Sequence, residues 1–172
     1  MDRTVVTNRS LTVASPEVAI NVGSNADYID GSGRVWVADR PFSQGHWGFT
    51  GSGAVRVYGN PPDRNILTSN DDPMLQTFVE GIESYKLDVP AGSYSVELLF
   101  AETRFEQAGK RVFDVRINSK PVLTDLDLVA SPGAFRPFIK TFDVRTSGGI
   151  EISFTAKTGK AILNGVRVAR KN

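Results

Sequence analysis

Ser93–Asn118, SYSVELLFAETRFEQAGKRVFDVRIN, leaves this chain little choice of fold. Tyr94, Val96, Leu98 and Phe100 fall at every second position. Ser93, Ser95, Glu97 and Ala101 lie between them, with Leu99 as the one large apolar residue on that side. Phe113, Val115 and Ile117 then alternate with Asp114 and Arg116. Successive side chains of an extended backbone point to opposite faces, so this spacing predicts two half-buried antiparallel strands. Between them, Glu102–Lys110 is polar apart from Phe105 and Ala108. An aromatic ring on a polar loop held by two rigid strands is an unusual use of apolar surface.

The same two-residue period recurs along the chain. It predicts strands over Val18–Val22, Arg34–Ala38, Leu75–Val79, Ser84–Val89, Ser93–Ala101, Arg111–Asn118, Lys120–Leu123, Pro137–Arg145, Ile150–Ala156 and Leu163–Arg170. Tight turns join several of them, at Pro90-Ala91-Gly92, Asn118-Ser119 and Ser147-Gly148-Gly149. No stretch of a dozen residues carries a helical apolar stripe, and 16 glycines and 9 prolines suit many short strands and turns. The fold class is therefore all-β, an antiparallel β-sandwich of the jelly-roll kind, with Tyr94, Val96, Leu98, Phe100, Phe113, Val115, Ile117, Ile152 and Phe154 in one shared core. Residues 1–16 read as a linker or the end of a preceding domain, and 17–172 as a single sandwich domain.

Composition removes several function classes. A net charge of +1 with no Lys/Arg run gives no pull toward nucleic acid or an anionic membrane. No apolar run approaches the roughly 20 residues that span a bilayer. Zero cysteines exclude disulfides and thiolate metal sites, and a lone histidine, His46, leaves no base for a Ser-His-Asp triad. Oxygen ligation of Ca²⁺ around Asp27 and Asp30 stays open, although the loop does not have EF-hand spacing. A catalytic carboxylate pair needs two groups about 5–10 Å apart across a cleft, which spacing alone does not show. Most of the loop acids are explained as turn and strand-end residues.

What remains is loop aromatics: Tyr28, Trp36, His46, Trp47, Phe49, Tyr58 and Phe105. Sugars bind through stacking of their C–H faces on aromatic rings, with polar side chains fixing the hydroxyls. Trp36 and Phe49 have apolar neighbours and read as buried. Trp47 lies between a histidine and a glycine, and Phe105 among polar residues, so both read as surface rings.

INVGSNADYID, LQTFVEG, SYSVELLFAE, GKRVFDVRIN, LTDLDL and the closing ILNGVRV, in that order, resemble the malectin domain over about Val18–Arg170. GRVWVADRPFSQGHWGF is similar to the malectin-like modules appended to bacterial β-galactosidase-like glycoside hydrolases. The resemblance implies a sandwich of the galactose-binding-domain type that binds carbohydrate without cleaving it and needs no cofactor. In animal malectin the implied ligand is an α-linked glucose disaccharide end, held by loop aromatics and an acid. An aromatic pair of that ligand set falls on Arg104 and Phe105, one tyrosine on Trp47, another near Glu80, and the acid near Lys157. The expectation is thus a carbohydrate-binding module tethered to glycosidase domains, taking a neutral glycan. Trp47 and Phe105 would stack in one shallow groove, and Arg104, Glu80 and Tyr28 would meet the hydroxyls. The alternative is a structural accessory domain whose sugar site has decayed. The family also implies a periplasmic, cell-envelope or secreted location.

Overall fold

A computed structural model describes residues 17–58, 65–70 and 72–172, so the reading of residues 1–16 lies outside the described residues. In chain order the strands are β1 (Glu17–Asn21), β2 (Tyr28–Ile29), β3 (Val35–Ala38), β4 (Trp47–Thr50) and β5 (Val55–Tyr58). A one-turn helix α1 (Asp72–Leu75) follows, then β6 (Thr77–Glu80), β7 (Ser84–Leu87), β8 (Gly92–Phe100), β9 (Val112–Ile117) and β10 (Lys120–Leu126). The last are β11 (Phe138–Thr146), β12 (Ile150–Thr158), β13 (Ile162–Leu163) and β14 (Gly165–Arg170).

A six-stranded sheet, in the order β11-β8-β14-β1-β3-β2, faces a five-stranded one, β10-β9-β12-β7-β4. Among the described residues the strand pairings of both sheets are antiparallel except β1 with β3, and an isolated parallel bridge joins Pro41 to Phe49. The core between the sheets is the one the alternation predicts. Val96, Leu98 and Phe100 from one sheet meet Phe113, Val115, Ile117, Ile152 and Phe154 from the other, and Tyr94 joins them. Phe113 lies between the rings of Phe100 and Phe154, at centroid distances of 6.0 and 6.4 Å. Such tilted packing is what ring quadrupoles favour.

Leu99 breaks the alternation for a structural reason. The outer face of the six-stranded sheet carries a second buried cluster of Ala19, Trp36, Ile66, Met74, Leu75, Leu99, Ala101 and Phe135. A strand covered on both faces needs apolar residues on both.

The main departure from the two-sheet expectation is a third sheet, β13-β6-β5, three strands wide. Its central strand β6 starts at Thr77, because α1 ends on Leu75, the first residue of the expected Leu75–Val79 strand, and Gln76 forms the turn after it. Buried Asn164 ties this sheet to the sandwich. Its amide donates to the carbonyls of Leu75 (2.8 Å) and Thr77 (3.0 Å), and its carbonyl accepts the N–H of Ala101 (2.9 Å). A buried amide with its hydrogen bonds satisfied fixes geometry that apolar packing alone would leave loose. Here it fixes the point where β8 enters the loop to β9.

Candidate functional site

The loop between β8 and β9 is built around two buried charges. Glu102 and Arg111 stand at its two ends, 1% and 3% exposed. The Arg111 Nε–H donates to Glu102 at 2.6 Å, and its Nη2 to Glu80 on β6 at 3.0 Å. Its Nη1 reaches the carbonyl of Lys160 in the β12–β13 loop. The other oxygen of Glu102 accepts the backbone N–H of Arg104 (2.9 Å) and of Phe105 (3.2 Å). Glu80 also takes Arg104 Nη1 at 2.8 Å. Desolvated charges are tolerated only when each is paired and hydrogen-bonded, as both are here. Farther along, Asp127 accepts the N–H of Gly109 at 2.6 Å. The loop is pinned at both ends and does not need its own apolar core.

Phe105 is therefore free to sit half-buried on the surface, with the Arg111 guanidinium 5.1 Å from its ring centroid. Around it Arg104, Glu106, Gln107 and Lys110 line an open hollow of about 320 Å³. Lys160 runs beside this region; its Cδ lies 3.6 Å from where a side chain on Gly81 would start. Three loops and the end of β6 thus meet at one rim. An apolar floor with a few convergent polar groups is what small-ligand sites are made of.

Of the residues expected here, Phe105, Arg104 and Glu80 come together, and two do not. Trp47, expected on the surface beside Phe105, is 2% exposed and belongs to the main core. It sits on β4 opposite Leu87, and the Arg40 guanidinium covers its ring at 4.4 Å. Its glycine neighbour marked backbone crowding, not exposure: a Cβ on Gly48 would lie 2.5 Å from the Arg40 carbonyl oxygen. A shared groove with Phe105 is ruled out for a buried ring. Tyr28 is half-buried on β2, the far strand of the six-stranded sheet, and packs on the second cluster. Lys157 points to β9 and β10, bound by Asp125 at 2.6 Å and Asp114 at 2.9 Å. The hydrogen bond to Asp125, then that to Asp114, raises its pKa and keeps it protonated.

Two features escaped the sequence. Spacing gives no sign that Glu102 and Arg111 are a buried pair, because charged residues bounding a polar loop are normally solvated. The other is the strand β5 under Tyr58: the ring, expected in a loop, is 68% exposed at the end of β5 opposite Thr77, while Val55 at the other end of that strand lies opposite Glu80. Tyr58 is the most exposed aromatic among the described residues, and a turn-rich surrounding hid the strand that displays it.

Comparison with known proteins places this geometry in context. The family model for the malectin domain matches residues 17–169. Malectin-B of Xenopus laevis is 40% identical over 68 residues, 37% of this chain and 25% of that protein. Human malectin is 41% identical over 68 residues, 37% of this chain and 23% of its own length. The chain spans a quarter or less of these curated relatives. A crystal structure of Bacteroides uniformis beta-glucuronidase superposes with a TM-score of 0.82 at 30% identity, covering 91% of this chain and 18% of that one. The plant receptor-like kinase FER superposes at 0.75 and 19% identity, covering 90% of this chain and 49% of that one, a likeness of fold alone.

Proposed function

The chain belongs to the malectin domain family, a family of non-catalytic carbohydrate-binding domains, and from that membership we propose that it is a module that docks a glycan on the ring of Phe105. The carrying observation is the ring itself. It is held half-exposed by a loop whose rigidity comes from the Glu102–Arg111–Glu80 ion-pair chain. A pre-organised ring binds a sugar face without first losing its own freedom. Arg104 and Glu80 stand beside it as hydroxyl partners.

The partner is a glycosidase catalytic domain in the same polypeptide. Support comes from the β-glucuronidase chains, in which the matching part is 18% of the whole. Tethering raises local substrate concentration, so the module needs only weak affinity. Such a role places it outside the cytoplasm, in the periplasm, the envelope or the medium; among the described residues no helix is long and apolar enough to cross a membrane.

One observation favours the alternative, a structural accessory domain. Arg104 and Glu80 already satisfy each other at 2.8 Å, and a ligand must compete with that pair. A glycan array followed by calorimetry separates the two. Micromolar-to-millimolar binding that disappears in Phe105→Ala supports the module, and silence across the array supports the structural role.

A further inference from the structure

The charges around Phe105 do not balance, and cations of the surplus line the same hollow as the ring. Arg111 is consumed: Glu102, Glu80 and the Lys160 carbonyl take its donors. Glu102 and Glu80 are consumed with it, and Glu80 takes one nitrogen of Arg104 as well. Glu106, the remaining carboxylate on the hollow, has a partner of its own. On the cationic side, Arg104 is 46% exposed and donates a single side-chain nitrogen to Glu80. Lys110 lines the hollow, and Lys160 passes Gly81; neither forms an ion pair among the described residues.

We propose that the hollow at Phe105 takes a glycan bearing a sugar carboxylate, a hexuronate, with Arg104 and Lys110 as its counter-charges and Lys160 at the margin. The proposal rests on the sugar-binding reading and adds the charge of the ligand to it. A pyranose stacked on a ring by its C–H face directs its equatorial C5 substituent sideways, along the plane of the sugar. In a hexuronate that substituent is the carboxylate. Arg104 and Lys110 line the same hollow as the Phe105 ring, within reach of such a substituent. An arginine fork meets a carboxylate with two parallel hydrogen bonds, geometry that a neutral hydroxymethyl cannot use. A neutral sugar gains little from the cations and has to displace their hydration. The ligand expected from sequence was neutral; the proposal departs from that expectation on the strength of Arg104 and Lys110.

The test uses matched pairs: alginate, glucuronoxylan and heparosan, each beside the same polymer after chemical reduction of its carboxyl groups. Dextran sulfate serves as an anion with no sugar carboxylate. At low ionic strength the domain should bind at least one acid polymer about tenfold more tightly than its reduced partner, the gain of a charge-assisted hydrogen bond. The ratio should collapse in about 0.5 M NaCl, where exposed charges are screened. Lys110→Gln with Lys160→Gln, whose side chains are exposed and outside the buried network, should shrink the same ratio several-fold with no loss of folding. Equal binding of acid and reduced polymers overturns the proposal and leaves the sugar-binding reading standing. Binding to none of them overturns both. Dextran sulfate competing as well as the uronans overturns it too, because the hollow would then read charge without reading a sugar acid.

Discussion

Glu102 and Arg111 show how far one residue's role depends on its surroundings. Either alone would be a desolvated charge, and together they hold the loop that carries Phe105. Replacing a partner in such a pair leaves an uncompensated buried charge, so Arg111→Met should destabilise the domain by about 3–5 kcal/mol in urea unfolding. Phe105→Ala should do the reverse. It should reduce glycan affinity by about tenfold and move the Tm by no more than about 4 °C, since a half-exposed ring contributes little to folding. Trp47→Ala separates burial from recognition. It should destabilise by about 3–5 kcal/mol through the cavity it leaves in the core. At temperatures where the variant is folded, its glycan affinity should match the parent's. A stable Trp47→Ala protein that has lost binding would contradict the placement of this ring.

The turn between β2 and β3 carries a pH dependence that can be worked out from its hydrogen bonds. The Asp30 carboxyl is held well below the usual carboxylate range, first by the Ser32 hydroxyl at 2.6 Å. The Trp36 indole N–H at 2.9 Å and the backbone N–H groups of Arg34 and Ser32 add to this. Partial burial opposes it. A depressed carboxyl adds stability that is present above its unfolded pKa of about 4 and is lost as pH falls through the folded value. Asp30→Asn should therefore reduce the Tm at pH 7 and flatten the loss of Tm below about pH 4. An unchanged acid limb would mean that other carboxylates set it. Elements that announce themselves by period two, such as β8, β9, β11, β12 and β14, were legible in the sequence because one face is apolar and the other is not. β4 and β5 were not, because Gly45, Gly48, Gly51 and Gly53 punctuate them as a loop would. The site was legible where a ring stood alone in a polar loop, at Phe105. It was illegible where burial decided the matter, at Trp47, at Tyr28 and at the Glu102–Arg111 pair.

At the scale of the molecule, two packed sheets supply rigidity, and the third sheet with its neighbouring loops gathers Glu80, Arg104, Phe105 and Lys160 at one rim. The purified domain should not hydrolyse aryl glycosides above background, as checked by chromogenic release. Turnover that disappears with a single Asp or Glu replacement would overturn the non-catalytic role. The central claim is that a glycan binds where the β8–β9 loop presents Phe105. The most direct test is a titration of the ¹⁵N-labelled domain with the best array ligand, following every backbone amide. The account predicts shifts confined to residues 102–110, 80–81 and 159–160, with amides around Trp47 and Tyr28 unmoved. Shifts centred instead on the cleft between β10 and β11, lined by Val122, Phe142 and Arg145, would contradict it.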